Sequence, residues 1–181
     1  MNPVKTLICL FAICICPASS YAGTAITNDI AQKYYNNCVA GAQKQGQLTP
    51  QNQQRYCACT AMNMQQSMTQ EDLSALSYKD EKARLVLNKI LTNVNAPCMQ
   101  YPVHDMISKK CMTDLKNSGI CNCLSNKMGQ YTAQQAQKMM PQLLAENPNL
   151  FDPLTPIMDS QEFQQTQKSI ALSCATNPNQ Q

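Results

Sequence analysis

The chain has 181 residues, 14 of them basic and 11 acidic, for a formal net charge of +3. That balance is too weak to mark a nucleic-acid or anionic-membrane surface, and the length suits one domain with a real core or two small halves. Eleven cysteines are more than an ordinary intracellular chain carries, and they turn the reading toward cross-links.

The first residues have a secretory pattern. Lys5 supplies the positive start, Leu7 to Cys16 is an apolar run of ten, and Ser20-Tyr21-Ala22 places small residues at a cleavage position. Residues 1–22 are therefore expected to be a signal peptide cut after Ala22. Cys14 and Cys16 lie inside the run, but neither follows the small residue that a lipoprotein signal expects. A spanning helix needs about 20 apolar residues, and no segment reaches that length, so no stable transmembrane insertion is expected. The expected location is across the inner membrane, in the periplasm or outside the cell.

Removing residues 1–22 leaves 159 of the 181, with 13 basic and 11 acidic residues and a net charge of +2. Eight cysteines remain: Cys38, Cys57, Cys59, Cys98, Cys111, Cys121, Cys123 and Cys174. An even count in an exported chain reads as a disulfide framework. A thiolate metal site is the competing reading, but zinc sites favour C-x2-C spacing, and no metal or other cofactor is expected.

The eight cysteines form two sets with one order: a single Cys, a C-x-C pair, a single Cys. Aligning the pairs superposes Met64 on Met128 and brings Thr69 within one residue of Thr132. This predicts an all-α fold of two divergent, disulfide-stapled helical repeats. The expected division is repeat 1 over 23–100, repeat 2 over 101–176 and a disordered tail over 177–181.

In chain order, Ile30, Tyr34 and Cys38 recur every four residues and predict a first helix that ends at Gly46. Thr49-Pro50 reads as a cap followed by proline at the first helical position. The stripe Cys57, Ala61, Met64 and Met68 is one helical face. Thr69-Gln70-Glu71-Asp72 resembles a capping box with Asp in place of Glu and opens a helix carrying Leu73 and Leu76. The chain continues or restarts near Ser77, with Ala83, Leu87, Ile90 and Val94 as the apolar face before Pro97 stops it. The second half is expected to follow the same plan, with a proline-rich connection (Pro141, Pro148, Pro153, Pro156) before a last helix from Ser160 to Cys174. No stretch alternates with period two, so little or no sheet is expected.

The C-x-C spacing constrains the bridges. Two residues along a helix turn by about 200°, so the sulfurs of Cys57 and Cys59 leave opposite sides and each needs a different partner. Eight cysteines allow 105 pairings, but pairing within halves, with the halves matching, leaves two. A turn centred on Asn117-Ser118-Gly119 puts Cys111 opposite Cys123. That favours Cys38–Cys59, Cys57–Cys98, Cys111–Cys123 and Cys121–Cys174 over the alternative in which Cys38 takes Cys57.

Catalytic signals are few. His104, the one histidine, precedes Asp105 in PVHDM, an arrangement comparable to secreted phospholipase A2. That family, however, places a cysteine pair shortly before its His-Asp and carries a glycine-rich calcium loop, whereas this chain has five glycines in all. His104 is expected in the linker between halves, and no catalytic residue is assigned. Met62, Met64 and Met68, or His104 with Met106, offer soft ligands of the kind Cu(I) takes, but methionine on a helical stripe is ordinary core filling. Saposin-like lipid binding has a different cysteine pattern, yet an apolar ligand between the halves fits the plan.

Cys57, Cys59, Thr69, Asp72 and Leu73 in the first half, and Cys121, Cys123 and Thr132 in the second, resemble a loose class of exported cysteine-rich proteins of gram-negative bacteria. These share C…C-x-C…C units followed by a T-x-x-D/E-L helix start, and Ala136 stands here in place of the second leucine. The resemblance implies a non-enzymatic binding protein with a protein or host component as partner, and a type II secretion substrate acting on a host. A lipid or apolar small-ligand binder, or a periplasmic metal or folding factor, are the alternatives. No nucleic-acid partner is expected.

Overall fold

The computed structural model describes residues 23–150 and 152–177, so the expected signal peptide and the tail from 178 onward lie outside the described residues. The fold is all-α. Among the described residues there is no strand, only an isolated bridge between Ala25 and Thr69.

Short-range capping sets the first elements. In α1 (Asn28–Gln45), Thr27 caps the start and Gly46, at φ 63°, ends it in the left-handed region that glycine enters without penalty. Thr49 caps α2 (Pro50–Ser67), with Pro50 in its first turn. Thr69 and Asp72 satisfy each other's backbone N–H groups at the start of α3 (Gln70–Ala75), a complete capping box. The next helix, α4 (Glu81–Lys89), begins beyond Ser77, because the Asp80 side chain accepts from Ala83 N at 3.0 Å and fixes the start there. Pro97 does not stop the chain. The backbone widens to a π-helical turn over Ile90–Asn95, then tightens to a 3-10 turn over Ala96–Cys98, and α5 (Gln100–Asp114) follows at once.

The longest helix, α6 (Ser118–Glu146), runs through Pro141, which the sequence placed in a connection. Proline inside a helix costs about 3 kcal/mol, but Ala136, Met140 and Leu144 on either side of it are buried, and that packing holds the helix together. A five-residue α7 (Leu154–Met158) and a 16-residue α8 (Gln161–Thr176) follow, the last helices among the described residues.

Four disulfides staple these helices: Cys38–Cys57, Cys59–Cys98, Cys111–Cys121 and Cys123–Cys174. Each member of a C-x-C pair bridges a different partner, and the order of pairing is the same in both halves. The favoured expectation of Cys38–Cys59, Cys57–Cys98, Cys111–Cys123 and Cys121–Cys174 is corrected, and the alternative holds. The cause is the position of the turn. Asn117 caps α6 and Lys116 takes a left-handed φ of 52°, so the turn is centred on Lys116 and not on Ser118. Cys111 and Cys121 stand symmetrically five residues before and after it. The same geometry around the turn between Gly46 and Thr49 sets Cys57, rather than Cys59, opposite Cys38.

The core lies in two clusters. The larger joins Ala96, Met99, Val103, Ile107, Met128, Met140, Ile157 and Phe163, with α5 and α6 as its central hairpin. The smaller gathers Ile26, Ala31, Met64, Met68, Val86 and Val94. Val86, absent from the expected apolar face of α4, is buried in it, whereas Leu87 and Ile90 are half-buried. Gly129 lets α6 cross the start of α5, because a Cβ there would stand 2.6 Å from the Gln100 carbonyl oxygen.

Candidate functional site

Helix α5 is tied near both ends, by Cys98 just before it and Cys111 in its last turn. Its buried residues Val103, Ile107 and Cys111 belong to the larger core cluster. This leaves two flanks of different chemistry.

One flank is polar. Asp105 is 7% exposed and reaches the start of α2, where its Oδ2 accepts from Thr49 N at 2.6 Å and Thr49 Oγ1 at 2.9 Å. Its Oδ1 accepts from Asn52 Nδ2 at 2.5 Å and lies 3.1 Å from His104 Nδ1. Burial pushes the Asp105 carboxyl up, but hydrogen bonds from Thr49 N, His104, the Thr49 hydroxyl and Asn52 outweigh it and hold the group below the ordinary carboxylate range. His104 Nδ1 stands 3.1 Å from both this carboxylate and the Asn52 amide Nδ2, so the tautomer of the ring sets which of the two it pairs with. The second nitrogen, Nε2, makes no hydrogen bond among the described residues. The cleft here, about 550 Å³, is lined by Asn52, Arg55, His104, Ser108, Asn122 and Asn126 among others. His104 is therefore on a helix and tied to Asp105, not in a linker.

The other flank is a largely apolar groove. Pro102, Met106, Lys109 and Lys110 of α5, Gln47 and Leu48 of the α1–α2 turn, and Leu154 of α7 line about 560 Å³ of it. A further stretch of about 380 Å³ shares Gln47, Leu48, Pro102 and Leu154 and continues to Ala42, Tyr56 and Met99. Both volumes fall in the range of about 300–1,000 Å³ usual for small-molecule sites. Burial, and then the neighbouring Tyr34, push the Tyr56 hydroxyl up to about 12. At the solvent end Lys110 pairs with Asp114 at 3.2 Å, and Lys109 has no ion-pair partner among the described residues.

The methionines separate by role. Met64 and Met68 are core, at 4% and 3% exposure, Met62 is exposed, and Met106 lines the groove. Among the described residues no three His, Cys, Asp or Glu side chains converge on a point where a metal would sit, and no helix is long and apolar enough to cross a membrane. Asp105 is marked in the sequence only as the neighbour of His104, and its pairing with Thr49 and Asn52 carries no sequence signal, because Asp105 meets Thr49 across 56 residues. The groove lining was equally hidden, since it comes from α1, α2, the turn between them, α5 and α7.

Neither a family model, a curated protein nor a solved structure matches this chain.

Proposed function

We propose that this is an exported binding protein that holds an apolar chain with an anionic head along α5. The observation that carries the reading is the groove bounded by Leu48, Tyr56, Met99, Pro102, Met106 and Leu154. An apolar chain laid there leaves water, with a gain of about 25 cal/mol per Å² of apolar surface covered. The Lys109 ammonium at one end supplies the opposite charge for a carboxylate. Export is supported by the Lys5, Leu7–Cys16 and Ser20–Ala22 pattern and by the pairing of eight cysteines, which an oxidising compartment preserves.

The test uses the oxidised chain from Gly23 onward and the fluorophore 1-anilino-8-naphthalenesulfonate, displaced by palmitate. The expected result is saturable binding of one palmitate, abolished by Met106→Glu and unchanged by Leu85→Glu on exposed α4 surface. Lys109→Glu is expected to weaken palmitate about two- to fivefold, the size of an exposed charge pair, and to leave 1-hexadecanol unaffected. Palmitate binding that survives Met106→Glu refutes the groove.

A further inference from the structure

The segment ahead of α1 is tied down along its whole length. Thr24 N and Thr24 Oγ1 donate to the two carboxylate oxygens of Glu71 at 2.8 and 2.7 Å. Gln70 N donates to Thr24 O at 2.9 Å and Gln70 Nε2 to Ala25 O at 3.0 Å. Ile26 follows at 3% exposure, packed with Met64 and Met68. Gly23, the first described residue, comes so close to α3 that a Cβ on it would stand 2.8 Å from both Glu71 Oε2 and Thr69 Cγ2. A side chain there would displace the strap, so the position calls for glycine.

We propose that the bond between Ala22 and Gly23 is hydrolysed during export, and that the freed α-ammonium of Gly23 pairs with Glu71 and locks residues 23–26 across the start of α3. The proposal rests on the export reading above. One water is consumed, leaving a carboxylate on Ala22 and an ammonium on Gly23. The Gly23 nitrogen is bonded to the carbon that would carry the Cβ, which puts it within the range of about 4–6 Å over which opposite charges favour each other. Glu71 and not Asp72 is the partner, because Asp72 already accepts from Lys89 Nζ at 2.6 Å and from Thr69 N at 2.9 Å. Glu71 meets Thr24 through neutral donors, and the ammonium adds a charge to a contact already formed. The Glu71 carboxyl is held below its ordinary range, first by the Thr24 hydroxyl, so both groups are charged over the whole span from that range up to the pKa of the amine. In an uncut chain the same nitrogen is an uncharged amide, so cutting tightens the strap.

The test has two arms. The first weighs the protein recovered from the periplasm or medium of a gram-negative host, and a chain beginning at Gly23 is expected. The second prepares the chain directly from Gly23 with a labelled α-amine, and follows its titration by NMR. Its pKa is expected about half a unit or more above that of the urea-unfolded chain, with the difference removed by Glu71→Gln and by one alanine added before Gly23. A different first residue, or a titration indifferent to Glu71→Gln, overturns the proposal. Full-length protein left in the cytoplasm sinks the export reading, while the second arm still decides the ion pair.

Discussion

Replacing Asp105 by alanine should unlock α2 from α5. The carboxylate accepts from Thr49 N, Thr49 Oγ1 and Asn52 Nδ2 and contacts His104, and hydrogen bonds to a charged group contribute about 1.5–3 kcal/mol each. They do not add, because they share one acceptor group, and the cost of burying the charge offsets part of them. A net loss of about 3 kcal/mol is expected, from the donors left unpaired beside Asp105. For a chain of this length that lowers Tm by about 6–12 °C.

Asp105→Asn adds a second reading. The native carboxyl titrates below its unfolded value of about 3.9. Its contribution is therefore complete above that value and is lost as pH falls through the native one. Urea unfolding between pH 2 and pH 7 should show this acid-side loss in the native protein and a shallower one in Asp105→Asn. A stability change under about 0.5 kcal/mol in Asp105→Ala, within the range of ordinary surface substitutions, would refute the reasoning. So would an unchanged acid slope in Asp105→Asn.

Gly129→Ala should cost about 1–3 kcal/mol in urea unfolding, because its Cβ meets a backbone carbonyl that has to move. Phe163→Ala, at a site 1% exposed, should cost about 3–5 kcal/mol, read by the same assay. Serine pairs should rank with loop length: loss of Cys123–Cys174, spanning 51 residues, should lower stability by about 4 kcal/mol, against about 3 for Cys111–Cys121, spanning 10. The reverse order in melting experiments would count against the chain-entropy account.

Local events can be read along the chain. Thr27, Thr49 and Thr69 each cap a helix through a group three residues away, and such contacts survive any tertiary arrangement. The C-x-C spacing likewise forced each sulfur toward its own partner, since helical rotation is a property of the backbone alone. Features that depend on distant groups were set by packing. The centre of a turn at Lys116, one or two residues from where its composition placed it, selected which cysteine faces Cys111. Pro141 stays helical because the buried side chains around it outweigh its backbone penalty. Asp105 becomes the clasp of α2 through a partner 56 residues away. The groove along α5 exists only because the α1–α2 turn and α7 close on Pro102 and Met106. Short-range hydrogen bonding and helical periodicity are written residue by residue, whereas a site built from several elements is written only in how they pack.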